Sequence, residues 1–308
     1  MSYKKFENTY LNYLSQHKWL VWVMILTVVL IWGYAWTLMK EALQYMGPFT
    51  FSAFRFGTGT LAMFIIIGLL GATKLPKEST KHLVVVGILQ TSIVFLLVMY
   101  GLKFVEAGKS SVLLYSMPIW STLLAVIFLK EKTKTNKVVG LLIGLIGLFT
   151  ILGWDIWVNQ TPGVILGELL IVLSAISWGA SNVYYRKKLS HLSQLQVNAY
   201  QMLFGTLGII LVAVLIEGGE PIHITPYSIY IILFTGVLAS AFCFTAWFFL
   251  LSIIDMATAT ISTLLVPVFG LFFGWLLLDE PITWSITIGS FLILFGIFVT
   301  TIKKRKST

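Results

Sequence analysis

The feature that most constrains this chain is a succession of apolar runs, each about twenty residues long, separated by short polar punctuation. A run of that length matches the thickness of a bilayer core when wound as an α-helix. Read with Gly, Pro and charge clusters as boundaries, the runs predict helices over 19–39, 49–70, 83–102, 107–129 and 137–153. They continue over 164–185, 197–216, 227–251, 257–278 and 282–302. The fold class is therefore an all-α integral membrane protein with ten transmembrane helices. Composition agrees: 58% of the 308 residues are hydrophobic and only 11% are charged, against about a quarter charged in soluble domains. No stretch between the runs is long enough to bury a separate soluble core. The runs are continuously apolar where a membrane β-barrel would alternate.

The net charge of +9 would fit a nucleic-acid partner if the basic residues formed a patch, but they follow the loops instead. With the N-terminus in the cytoplasm, 17 of the 21 Lys and Arg residues fall in alternate connections and tails on that side, in clusters such as Lys130 to Lys137 and Arg186 to Lys188. Three (Lys40, Lys103 and Lys109) fall on the other side, and Arg55 lies within a helix. The bias predicts a multi-pass protein of the plasma membrane with both termini cytoplasmic, and no nucleic-acid partner. The polar N-terminal segment shows no small-residue cleavage site, so the first helix reads as retained. A lone cysteine, Cys243, excludes an intramolecular disulfide.

The two halves of the chain align on each other. At a spacing of 146, Trp32-Gly33 falls on Trp178-Gly179, and Gly59-Thr60-Leu61 on Gly205-Thr206-Leu207. After a slip of three, the spacing is 149, and Phe95 falls on Phe244, Pro118 on Pro267, Glu131 on Glu280, Gly140 on Gly289 and Gly147 on Gly296. Five helices per copy is an odd number, so the second copy enters the membrane from the opposite side. The domain reading is a cytoplasmic tail over 1–18, one five-helix repeat over 19–153, an inverted one over 164–302, and a basic tail over 303–308. Inverted repeats place a substrate near the midplane and permit alternating access.

These residues resemble the EamA-type ten-helix transporters of the drug/metabolite superfamily. The resemblance rests on Ile31-Trp32-Gly33, Pro48 with Arg55-Phe56, the Pro118 helix, and Glu131 before Gly140 and Gly144. In the second copy it rests on Gly167-Glu168-Leu169-Leu170, Ser177-Trp178-Gly179, Pro267, and Asp279-Glu280 before Gly289. It implies an exporter or exchanger of small metabolites, with a central cavity made by helices 1 to 4 and 6 to 9 and with helices 5 and 10 to the side. Two departures stand out: Gln201-Met202 occupies the positions matching Arg55-Phe56, and Lys109 sits where the family usually has a small residue.

Candidate substrate-binding residues follow from polarity inside spans. Trp32 and Trp36, and at matching positions Trp178 and Asn182, form one-faced pairs deeper than an interfacial belt requires; their plainer role is helix packing against Gly33 and Gly179. Arg55 pays an insertion cost approaching about 2.5–3.5 kcal/mol and is a candidate seat for a substrate carboxylate. Glu168 is the one carboxylate clearly within a span; it either carries a coupling proton, balances Arg55, or forms a structural ion pair with it. Lys103 and Lys109 at the outer mouth would favour anionic or zwitterionic substrates. Gln90, Thr91 and Ser92, with Ser240 matching Thr91, and also Tyr115 and Gln201, are further cavity candidates. Pro118 and Pro267 would free the carbonyls of Leu114 and Thr263 and kink their helices for gating.

The glycines of helices 5 and 10 read as close-packing surfaces, within the fold or at a homodimer contact. The four histidines lie in tails, loops or helix ends, and no cofactor, metal, nucleophile-and-base pair or ATP loop is expected. The functional reading is a secondary transporter, not an enzyme, exporting amino acids or related compounds, with lipid as its other partner. A passive channel and a membrane-embedded enzyme are the alternatives.

Overall fold

A computed structural model describes residues 18–74, 77–129, 135–156, 161–253 and 265–301. The described residues are helical, with no strand among them. Helices α1 (Lys18–Ala42) and α2 (Pro48–Leu69) are followed by α3, in which Thr80–Gly87 and Val94–Gly101 flank a π-helical stretch, Ile88–Ile93. Helix α4 is broken, running Ala107–Leu114 and then Met117–Leu129; α5 is Thr135–Ile156. Next come α6 (Pro162–Lys188), α7 (Gln194–Glu217), and α8, in which Pro226–Leu233 and Cys243–Ile253 flank a second π-helical stretch, Phe234–Phe242. The described chain closes with α9 (Leu265–Leu278) and α10 (Trp284–Thr301). Seven of these helices are long and apolar enough to cross a membrane, and Val138–Thr150, Leu265–Leu278 and Trp284–Val299 are shorter apolar helices. The chain is a multi-pass membrane protein.

Local chemistry sets several helix starts. Pro48, Pro162 and Pro226 each occupy a first-turn position, where a missing N–H costs nothing. Thr225 and Ser228 form a reciprocal capping box at α8. The radial pattern is the reverse of a soluble bundle. Leu61, Ile65 and Leu69, four residues apart on α2, face outward, while Ser52, Arg55 and Thr60 of the same helix are buried. Lipid solvates the apolar stripe as well as a protein core would, so it is the polar groups that must find partners inside.

The packing exchanges under the repeat spacings. Helix α1 packs on α9 as α6 packs on the second part of α4, and α3 packs on α6 as α8 packs on α1. Helices α2 and α7 cross each other, as do α5 and α10. The glycines reproduce this to the residue. A Cβ on Gly33 would meet Phe269 and Gly270, and one on Gly179 would meet the matching Trp120 and Ser121. A Cβ on Gly59 would sit 2.8 Å from the Gly236 carbonyl oxygen, and one on Gly205 would sit 2.6 Å from that of Gly87. The hydroxyls of Thr60 and Thr206, which are equivalent to each other, share a hydrogen bond of 3.0 Å. Gly147 meets Gly289 across α5 and α10, and Gly296 meets Gly140 and Gly144, so this stripe is spent within the chain.

Candidate functional site

The sequence candidates separate into groups with satisfied internal partners and one group without them. Trp32 donates its indole N–H to the Ala239 carbonyl, 2.7 Å away in the π-helical stretch of α8, and lies against Phe244 and Trp247. On the matching side, Ser177 donates to the Leu89 carbonyl at 2.7 Å and Ser181 to Gln90 Oε1 at 3.1 Å, both in the π-helical stretch of α3. A π-helical stretch disturbs the regular i−4 ladder, and here α1 and α6 each send a donor to it. Trp36 is buried in the core beside Gly270. Trp178 packs half-buried against the same core, and Asn182 reaches Met117 Sδ at 3.1 Å and Ser121 Oγ at 3.3 Å across to α4.

Gln201 is equally engaged. Its Oε1 accepts from Thr91 at 2.7 Å and its Nε2 donates to Asn198 Oδ1 at 3.0 Å, while Ser92 donates to the Gly205 carbonyl at 2.7 Å. This α3–α7 network is internal. Ser240 donates to the Thr235 carbonyl within α8. Pro118 lies just beyond the interruption of α4 at Tyr115–Ser116, where the Ser116 N–H bonds Leu113 in a tighter turn and its hydroxyl bonds the same carbonyl at 2.7 Å. Pro267 is buried near the start of the described part of α9; Thr263 and Glu131 lie outside the described residues.

The charges correct the sequence reading. Glu168 pairs with Lys109, not with Arg55: the Nζ–Oε1 distance is 2.5 Å and both side chains are buried. Lys109 is therefore no outer-mouth attractor, since its ammonium is neutralised inside the bundle. Lys40 is also committed, donating to the Leu102 and Val105 carbonyls at the end of α3, where a cation meets the negative pole of the helix. Lys103 is exposed and lies over the Tyr100 ring. Two carboxylates act as caps between the halves. Glu217, ending α7, accepts from the Phe49 and Thr50 N–H groups at the start of α2. Glu280, following α9, accepts from the Ala107 and Gly108 N–H groups at the start of α4, at 2.5 and 2.9 Å. Burial pushes the Glu280 carboxyl above its usual range, and those two N–H groups oppose the shift.

Arg55 differs from all of these. It is 5% exposed, its Nη1 donates only to the Met39 thioether at 2.8 Å, and its Nε has no hydrogen-bond partner. The guanidinium lies 5.0 Å from the Phe56 ring centre and 4.8 Å from that of Phe95. Tyr115, from the break in α4, is within electrostatic range of it and of Cys243 in α8. An aromatic ring stabilises a cation by roughly 0.5–2 kcal/mol and a thioether is a weak acceptor, so neither replaces a carboxylate. Among the described residues no salt bridge reaches Arg55. Met39 and Phe95 were not legible as its neighbours from sequence, although the pairing of Phe95 with Phe244 marks it as unusual. An apolar groove of about 570 Å³ lined by Tyr230, Phe234 and neighbours lies on the flank of α8 and includes none of the candidate residues.

Comparison with known proteins decides the family. The model of the EamA-like transporter family matches this chain twice, over residues 19–153 and 165–302. The chain belongs to the EamA-like transporter family. It is 34% identical over 278 residues to the uncharacterized transporter YoaV of Bacillus subtilis, covering 90% of this chain and 95% of that one. It is 24% identical to a probable amino-acid metabolite efflux pump of Salmonella typhimurium, covering 90% and 93% of the two chains. A probable terminal-alkyne amino-acid exporter of Streptantibioticus cattleyicolor is 26% identical, covering 84% and 86%. A solved crystal structure that is 18% identical superposes with a TM-score of 0.65 over 91% of this chain and 94% of that chain, which places the fold among known ones. This member of the EamA-like family is thus a membrane transporter in which, among the described residues, the buried Glu168 and Glu217 are paired or capping and the buried Arg55 has no acid partner.

Proposed function

We propose that this chain is a ten-span secondary carrier in the plasma membrane, with both termini cytoplasmic, exporting small organic compounds that bear a carboxylate. The two five-helix halves, inverted with respect to each other, alternate access by rocking about the α2–α7 crossing at Thr60 and Thr206. Substrate engages the first half at Arg55, between α1, α2, α3 and the break in α4. The observation that carries this reading is the asymmetry at equivalent positions. Both amide atoms of Gln201 have a partner, in Thr91 and Asn198, whereas Arg55 retains a buried N–H without one. A buried donor of that kind has paid its desolvation, and an incoming carboxylate recovers it. Export fits the names of the two relatives described as an efflux pump and an exporter of amino-acid compounds.

The break at Tyr115–Ser116 and the two π-helical stretches are the places where α4, α3 and α8 would bend as opposite mouths close. The test is export from cells overexpressing the protein, screened over amino acids, their N-acylated and deaminated forms, nucleosides and organic cations. A carboxylate whose export rises with expression and falls to background in Arg55→Gln supports the reading. Export of such a compound unchanged by Arg55→Gln would refute it.

A further inference from the structure

Resting on the reading of Arg55 as the carboxylate seat, we propose that the site selects monoanionic carboxylates that lack a free ammonium, and discriminates against amino acids themselves. A zwitterion brings a cation together with its carboxylate, and that cation needs an acceptor a few ångströms away from the guanidinium. Among the described residues, the two buried carboxylates, Glu168 and Glu217, already have partners. Glu168 is committed to Lys109 and Glu217 to the start of α2, and the part-buried Glu280 is committed to the start of α4.

Carbonyls are the next resource for an ammonium. Two in the π-helical stretches already accept a donor, Leu89 from the Ser177 hydroxyl and Ala239 from the Trp32 indole. The side-chain oxygens of Gln90 and Gln201 likewise each already accept a hydrogen bond, from Ser181 and Thr91. Phe56 and Phe95, the rings nearest the seat, already face the guanidinium and would hold a second cation beside a like charge. The described residues thus provide one buried positive charge, aromatic and thioether walls for an apolar body, and no carboxylate paired with Arg55 that could neutralise an ammonium. Leaving an ammonium unpaired in such a site is strongly unfavourable.

Charge-matched probe series separate this inference from the broader one. The full-length protein in detergent is tested by thermal stabilisation, which registers what binds the folded state. The probes are 3-phenylpropanoate, phenylalanine and phenethylamine, and the corresponding indole and isobutyl series, at one pH near neutrality. We expect at least one acid without an amino group to stabilise the protein. Its amino-acid counterpart should need at least tenfold higher concentration for the same shift, and the amine should give none.

Arg55→Gln should abolish the response to the acid while leaving the unliganded unfolding temperature close to that of the parent. Arg55→Lys, which retains the charge, checks that any loss reflects binding if the glutamine form folds poorly. If amino acid and deaminated acid bind equally and both depend on Arg55, the carboxylate seat stands and the proposed selectivity falls. If the amine binds as well as the acid, or no acid binds, both the selectivity and the assignment of Arg55 are overturned.

Discussion

Replacing Glu168 by glutamine is the perturbation whose size the structure sets most directly. The carboxylate lies 2.5 Å from the Lys109 ammonium, and the two side chains are 3% and 4% exposed. Glutamine keeps the shape and removes the charge, so the buried Lys109 ammonium loses its carboxylate. Breaking a buried pair from one side costs about 3–5 kcal/mol, because the uncompensated charge stays where it is. Removing both charges with apolar groups of similar volume is about neutral or stabilising. We therefore expect Glu168→Gln to lose about 3–5 kcal/mol, read by unfolding in mixed detergent micelles containing increasing fractions of a denaturing detergent. Lys109→Met combined with Glu168→Leu should recover most of it. A Glu168→Gln protein as stable as the parent, yet dead in transport, would refute the structural role and point back to a coupling proton. A double variant that is no better than the single one would show that the cost lies in packing and not in charge.

The equivalent glycines give a paired prediction. Alanine at Gly205 would place its Cβ 2.4 Å from Thr91 Cβ and 2.6 Å from the Gly87 carbonyl, and alanine at Gly59 would place it 2.8 Å from the Gly236 carbonyl. Both should destabilise by about 1–3 kcal/mol, Gly205→Ala more than Gly59→Ala, in the same unfolding assay; a neutral Gly205→Ala would contradict the close α3–α7 approach. For Glu280, the folded carboxyl is held above its usual value, chiefly by burial, so the folded state binds the proton more tightly than the unfolded chain. Its contribution is then most favourable below the unfolded carboxyl range near pH 4.3 and is lost as pH rises through the raised value. The stability of the parent relative to Glu280→Gln should accordingly fall on going from acidic to neutral pH; a rise over that interval would mean that the N–H groups of Ala107 and Gly108 outweigh burial.

Much of the architecture was legible because lipid simplifies the pattern: runs long enough to span are continuous, and the predicted boundaries lie within a few residues of those observed, except at the start of the ninth helix, where 257–264 lies outside the described residues. The pairing of Gly33 with Gly179 and of Gly59 with Gly205 was legible, since these residues are small for one reason, the close approach of another backbone. The partners of the charges were not. Nothing local distinguishes Lys109, read as a mouth residue, from Lys103, which is exposed; the difference is that α6 carries Glu168 to the first of them. The π-helical stretches also escaped, because Gln90, Thr91 and Ser92 fit a regular helix by propensity and period, and the extra residue in the turn is set by packing against α6 and α7. Arg55 was legible as costly, but its soft surroundings were not, since Met39 and Phe95 come from other helices.

The central claim is that this chain moves a carboxylate through a site where Arg55 supplies the charge. The most direct test is flux in proteoliposomes containing the purified protein, with a carboxylate identified by binding, corrected for leakage in protein-free vesicles. The account predicts flux that saturates, accelerates when unlabelled compound is present on the far side, and falls to background in Arg55→Gln. A protein-dependent flux that rises linearly without saturation, shows no acceleration from the far side and is indifferent to Arg55→Gln would contradict it and identify a passive channel instead.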